Sequence, residues 1–174
     1  MSTNSSWNGI MKILWIEHRR KGELLWREEN IRNMLHSGGE AFILNAVFAG
    51  GQINNVIPEH YYIGLDARSS LAVADTLVDL SGEPSTNGYS RQAINSSGDF
   101  VVTLPDGLTN YRATSPIVAF QAVGGDWGPV TNIFLCNSAN VEGDLIASSV
   151  LPSALSVADG DTITMRLGLT LKDC

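Results

Sequence analysis

The sequence predicts a mainly β protein: an antiparallel β-sandwich or jelly-roll-like domain with an N-terminal hairpin and one short buried helix. Three observations predict it. Short apolar runs, bounded by Gly, Pro, Asn, Asp or Ser, follow one another from Tyr61 to the end of the chain. The last of them alternates strictly, Ile163, Met165, Leu167, Leu169 and Leu171 against Thr162, Thr164, Arg166, Gly168 and Thr170, which is the period of a strand with one buried face. A single stretch carries a helix signature. With 174 residues and 44% hydrophobic content, the chain is long enough for one domain with a real core and too short for a multidomain enzyme.

Residues 1–11 read as a flexible arm rich in Ser and Asn, and residues 12–174 as one β-rich domain, with hairpin plus helix over 12–51 and sandwich over 52–174. Trp7 is the arm's only aromatic, of the kind that anchors an arm on a neighbouring subunit. The runs 12–18 and 23–28 flank Arg19-Arg20-Lys21-Gly22, a basic link closed by glycine that suits a hairpin, with Trp15 and Trp26 as its largest side chains. Ser37-Gly38-Gly39-Glu40 has capping-box spacing, residues 41–49 leave only Asn45 polar, and Gly50-Gly51 stops the helix. A helix apolar nearly all round is expected to be a core plug covered on every side.

The following strands are expected at 61–65, 89–94, 100–104, 117–123, 130–136, 145–151 and 162–171, with one helical turn at 76–80. Asn87-Gly88 and Asp159-Gly160 mark tight turns, and Gly124-Gly125-Asp126-Trp127-Gly128-Pro129 a longer one carrying an aromatic.

Charge narrows the function. Eighteen acidic against 11 basic residues give −7, which argues against a protein that tracks nucleic-acid phosphates. Six basic and four acidic residues up to Asn33 make that section +2 and leave −9 for the body. Arg19, Arg20 and Lys21 read as a solvated hairpin tip or as a patch that docks on an acidic neighbour, a second copy included. Cys136 and Cys174 are no disulfide framework, residues 1–8 lack the regions of a signal peptide, and no run approaches the roughly 18 apolar residues of a membrane span.

Motifs of chemistry are missing. Neither a Gly-x-Ser-x-Gly elbow nor a phosphate-cradling glycine loop occurs. His18, His36 and His60 are too scattered for a helical metal pair, and Asp159-Gly160-Asp161 reads as a turn rather than a calcium loop. Glu83, Asp99, Asp106 and Asp126 are acids from which a glycosidase pair is conceivable, but they read as loop surface. No catalytic residue, metal or cofactor is expected.

The chain resembles small virion structural proteins of tailed bacteriophages. The resemblance is carried, in order, by Trp26-Arg27-Glu28-Glu29-Asn30, His36-Ser37-Gly38-Gly39-Glu40-Ala41-Phe42, Tyr61-Tyr62-Ile63-Gly64-Leu65-Asp66, Ser81-Gly82-Glu83-Pro84, Asn87-Gly88-Tyr89-Ser90-Arg91-Gln92, the Gly124 turn and Ala158-Asp159-Gly160-Asp161. It implies a non-enzymatic, β-rich virion component present in many copies; the cysteine usage and the missing signal peptide add the expectation that it folds in the host cytoplasm before assembly, and charge and hydropathy that it has no nucleic-acid or membrane partner. Within the Tyr89 stretch, Tyr89 is expected to pack and Arg91 to pair with an acid such as Glu83.

The main expectation is a head decoration, or cement, protein. It would bind the major capsid protein or other virion proteins and associate with itself through Trp7, Trp15, Arg19, Arg20, Lys21 and Trp26. The alternative is a tail-tip, baseplate or fibre protein whose loop at Asp126 and Trp127 recognises a host receptor or glycan.

Overall fold

The computed structural model describes residues 8–48, 57–107 and 110–172. The alternating strand at the end of the chain, β11 (Asp161–Lys172), is the axis of the first sheet. Its apolar residues Ile163, Met165 and Leu167 are fully buried, and the intervening Thr162, Thr164 and Arg166 are half-buried on the other face. Along one edge it pairs with β1 (Asn8–Arg20) over its whole length; along the other it pairs with β8 (Val118–Gln121) and β7 (Arg112–Thr114). Beyond β1 lies β2 (Glu23–Arg32), and beyond β7 lies β6 (Val101–Thr103). The β1–β2 hairpin turns at Lys21 and Gly22, whose φ angles of 49° and 84° are those of a two-residue primed turn.

The β1–β11 register slips by one residue at Leu14, a bulge that passes over Gly168. A Cβ at Gly168 would lie 2.8 Å from Leu14 and 2.9 Å from Arg112, so glycine is what lets the bulge and β7 close on β11.

The second sheet runs β3 (Met34–Leu35), β10 (Leu145–Val157), β9 (Gly128–Cys136), β4 (His60–Asp66), β5 (Gln92–Asn95). All pairings in both sheets are antiparallel. Between the sheets, Ile13, Ile16, Phe120, Ile163, Met165 and Leu167 meet Ile63, Leu65, Ile133, Leu135, Leu155 and Val157 in one cluster. Each such side chain contributes about 1.5–3 kcal/mol by leaving water.

The outer face of the second sheet is also covered. Phe134, Cys136 and Leu145 pack under Leu71, Leu77 and Leu80, which belong to the long connection from β4 to β5 and its 3-10 turn at Leu77–Asp79. This explains why 130–136 reads as an unbroken apolar run: β9 is buried on both faces. The expected helical turn at 76–80 is this 3-10 turn, closed by Asp79, which accepts from the Thr76 N–H and hydroxyl, both at 2.8 Å.

Helix α1 (Ser37–Phe48) lies across one end of the sandwich. Its start differs from the expected capping box: Ser37, Gly38 and Gly39 are already helical, the His36 carbonyl accepts the Glu40 N–H, and the Ser37 N–H donates to Val73 O. The glycines serve close approach, since a Cβ at Gly39 would stand 2.2 Å from Ile146 O on β10. Nor is the helix covered all round. Gly39 and Phe42 are buried, whereas Leu44, Val47 and Phe48 are 52%, 64% and 75% exposed. A helix capping the open end of a sandwich has one face toward the core, and the apolar composition of the other face has a different origin.

The strand forecasts shift for local reasons. β1 begins at Asn8, inside the stretch assigned to the arm, because β11 extends far enough to pair Asn8 with Lys172 and Met11 with Leu169. Trp7 and the rest of residues 1–7 lie outside the described residues, as does Cys174. β5 starts at Gln92 rather than Tyr89, and β10 continues to Val157 through a register shift between Val150 and Leu155 that takes in Pro152. The short strands β3 and β7 lack any sequence signal of their own.

Gly64 on β4 sits beneath the Phe134 ring, and a Cβ there would lie 2.1 Å from it. Gly64→Ala is therefore expected to destabilise the fold by about 1–3 kcal/mol through overpacking, read as a lowered thermal midpoint by circular dichroism.

Candidate assembly and recognition surfaces

The basic hairpin tip is tied into the fold. Arg20 stands opposite Asp161 in the β1–β11 ladder, and its guanidinium donates to both carboxylate oxygens, Nε to Oδ1 at 2.8 Å and Nη2 to Oδ2 at 2.9 Å. His18 Nε2 lies 2.8 Å from the same Oδ2, and the Ala158 N–H donates to it at 2.9 Å. Asp161 is fully buried. Its carboxyl is held well below the ordinary range, first by Arg20 and, against the opposing effect of burial, also by Ala158 and His18. Arg19 donates to Glu17 and to Gly22 O, while Lys21 is exposed in the turn.

The two tryptophans of the hairpin part company. Trp15 falls on the face shared with Glu17, Arg27 and Glu29, where the Arg27 guanidinium sits 5.9 Å from its ring and is bound by both glutamates. Trp26 falls on the opposite face, beside His18, and packs against the main core. Of the predicted assembly residues within the described chain, the structure thus gathers Trp15 and Arg19 on the outer face of the hairpin. It turns Arg20 and Trp26 to internal work.

Near that tip, three turns interlock. Gly124 and Gly125, with φ of 85° and 151°, aim their N–H groups at Asp159 Oδ1, at 2.8 and 3.2 Å. The Asp159 N–H in return donates to Asp126 Oδ1 at 2.8 Å. Asn87 supplies the third turn: its Nδ2 donates to Asp126 O, and its carbonyl accepts from Val123 N–H and from Trp127 Nε1, each at 2.9 Å. Trp127 is half-buried, edge-on to Tyr89 at 5.5 Å, and packs on the core, so its indole clips the loops together; Asp126 is exposed beside it.

A heavily partnered guanidinium lies on the outer face of the second sheet. Arg91 donates from Nε and Nη2 to Glu83 at 2.8 and 2.7 Å, and from Nη1 to Ser138 O and Asn140 O at 2.9 and 2.6 Å. It lies 5.2 Å from the Phe134 ring centre with its side chain 6% exposed. Tyr89 donates to Glu83 and accepts the Leu65 N–H, and burial pushes its hydroxyl well above the usual phenol range. Nearby, buried Asp66 accepts from the Arg68 and Gly82 N–H groups. The expected packing of Tyr89 and pairing of Arg91 with Glu83 are both present.

The remaining acids have local partners: Asp99 accepts from the Asn95 N–H and amide, and Asp106 is exposed in the turn after β6. Among the described residues no three His, Cys, Asp or Glu side chains converge in metal-ligand fashion, and no helix is long and apolar enough to cross a membrane.

The sandwich therefore has two unlike ends. One carries the interlocked polar turns around 21–22, 87–88, 124–127 and 158–160. The other carries α1, the beginnings of β1 and β4 and the β6–β7 connection, with Leu44, Val47 and Phe48 of α1 exposed.

Asp161 supplies a test of the polar end. Its lowered carboxyl pKa stabilises the fold above the ordinary value of 3.8, and that contribution is lost as pH falls below 3.8 toward the folded value. Asp161→Asn should cost on the order of 2 kcal/mol in denaturant unfolding at neutral pH, and its deficit against the unaltered protein should narrow below pH 3.8.

Residues 36–170 match the family model described as Podophage GP4 fiber I protein gp80. The match runs from the residue before α1 to near the end of β11, taking in both sheets except β1, β2 and β3. No curated protein matches the chain. A family match over 36–170, which takes in most of both sheets, identifies this chain as a member of the Podophage GP4 fiber I protein gp80 family, a small virion structural protein of a tailed phage.

Proposed function

We propose that the chain is a structural, non-enzymatic subunit of a phage tail fibre, held among other virion proteins, that presents its polar, interlocked turns to the host surface. The observation that carries this reading is the fibre-family match over residues 36–170. It favours the fibre alternative over decoration of the head shell, and with it a partner in the tail over the major capsid protein. The chemistry of the turns supports the orientation. Asp126 and Gly124 are exposed on a loop locked by Asp159, Asn87 and Trp127, and Lys21 is exposed in the hairpin turn. A rigid polar tip loses little entropy when it binds, which favours recognition of polar ligands such as surface glycans. In this reading Trp127 acts as a positioning residue for the loop.

Quantitative mass spectrometry of purified virions is expected to find the chain at a small fraction of the shell protein's abundance. Parity with the shell protein would overturn the fibre reading in favour of decoration. Purified protein is also expected to compete with virions for host cells; adsorption unchanged at saturating protein would remove the recognition role and leave a purely architectural fibre subunit.

A further inference from the structure

We infer that the outer face of the first sheet is a binding site for an acidic polysaccharide, centred on Gly168 and built by Lys12, Arg32, Arg112 and Arg166. The site goes beyond the fibre reading: it lies on the sheet rather than on the interlocked turns, and it stands on register and charge. Ile13, Met165 and Leu167 point into the core, so Lys12, Arg166 and Gly168 point outward. Lys12 stands directly opposite Arg32 on β2 and opposite Gly168 on β11, which in turn stands opposite Thr114 on β7. Arg112, the next outward position on β7, leans back across the strand, its Cδ lying 2.9 Å from where a Gly168 Cβ would be. Arg166 completes the group from the next outward position of β11, held by its Nε donation to Ser115 O at 2.9 Å.

With Arg19 and Arg27, these make six of the chain's 11 Lys and Arg residues on one face. Arg19 and Arg27 are paired with Glu17 and Glu29 of the same face. The other four form no ion pair among the described residues. Like charges directly opposite in an antiparallel ladder destabilise it, and Lys12 faces Arg32 in this way. An anion lying over the pair reverses that effect. In a chain of net charge −7, the surface around Gly168 therefore has the opposite sign to the whole. At about 0.1 M salt the Debye length is about 10 Å, the separation of two stacked sheets, so acids beyond the second sheet are largely screened from a ligand on this face.

The class of anion follows from the shape and company of the cluster. From β2 to β7 it spans three strand spacings, about 14 Å, the reach of several linked charged units rather than of one small ion. Thr103 and Thr170 stand opposite Arg112 on its two sides and Thr114 is its outward neighbour, so hydroxyls share the face with the cations. Guanidinium groups take carboxylates in bidentate fashion and threonine hydroxyls match sugar hydroxyls, the two functions that an acidic sugar polymer carries. A protein partner is a poorer match, because interface centres are depleted in Lys and built on aromatic or apolar anchors, whereas the Trp15 ring here is occupied by Arg27. Duplex DNA carries one charge per roughly 1.7 Å of axis, a density that the net charge of −7 opposes.

Calorimetric titration of the full chain with polygalacturonate, neutral dextran and duplex DNA, at about 0.1 M salt, tests this. Polygalacturonate is expected to bind, dextran to give no heat of binding, and DNA to bind about tenfold more weakly than polygalacturonate. Lys12→Gln combined with Arg112→Gln, and separately Arg32→Gln on the exposed edge strand, are each expected to weaken polygalacturonate binding about tenfold. Lys21→Gln, at an exposed cation in the hairpin turn, is the control and is expected to leave it intact. Because it removes a like-charge pair, Lys12→Gln is also expected to keep or raise the thermal midpoint read by circular dichroism, which the loss of a packing residue would lower. An unaltered chain that does not bind polygalacturonate overturns the inference, as does one that binds DNA or dextran equally well. So does binding that survives both sets of substitutions, binding that Lys21→Gln weakens as much, or a lowered midpoint of Lys12→Gln with binding retained. Particle stoichiometry, which tests the fibre reading, is independent of each of these outcomes.

Discussion

A buried guanidinium holds the most irregular part of this molecule in place. The second sheet is apolar on both faces, but its outer face has no third sheet to cover it; the cover is the connection from β4 to β5, whose regular structure is one 3-10 turn. Arg91 fastens the end of that connection. It lies over Phe134, spends two N–H groups on Glu83 and reaches two carbonyls beyond β9, so loop, strand and the following bend share one centre. A charge buried this deeply is tolerated because nearly all its donors are satisfied, and removing either partner would strand the other away from water. Phe134 is thereby pressed onto Gly64, and Leu71, Leu77 and Leu80 close the second core above it.

The same logic recurs at the polar end with a carboxylate at the centre. Asp161 accepts from Arg20, Ala158 N–H and His18, which joins the hairpin tip to the turn ahead of β11. Asp159, Asn87 and Trp127 extend the tie to the neighbouring loops. Part of the charge around the hairpin tip is thus paired within the subunit, while Glu23, Glu40, Glu59, Asp106 and Glu142 remain exposed.

The two ends thus differ in physical character: one rigid and polar, the other closed by a helix whose outer half is apolar.

Periodicity in the sequence marks the long strands, though not the short β3 and β7. The alternation from Ile163 to Leu169, the apolar run at 130–136 and the turns at Lys21-Gly22, Asn87-Gly88 and Asp159-Gly160 are local signals, and the backbone follows them. Even the Arg91–Glu83 pair was within reach, since the two are eight residues apart. Tertiary structure alone decided the rest. Gly38-Gly39 reads as a cap, but Gly39 is there to let the helix backbone touch β10; Trp127 reads as a tip, but Asn87 O claims its N–H. Arg20 reads as a free charge, but Asp161 lies opposite it from 141 residues away. Whether an apolar helix is a plug or a surface depends on which end of a sandwich it crosses. Sequence period records which side of an element is apolar, and only the assembled sheets determine which sides meet the core and which meet water or another subunit.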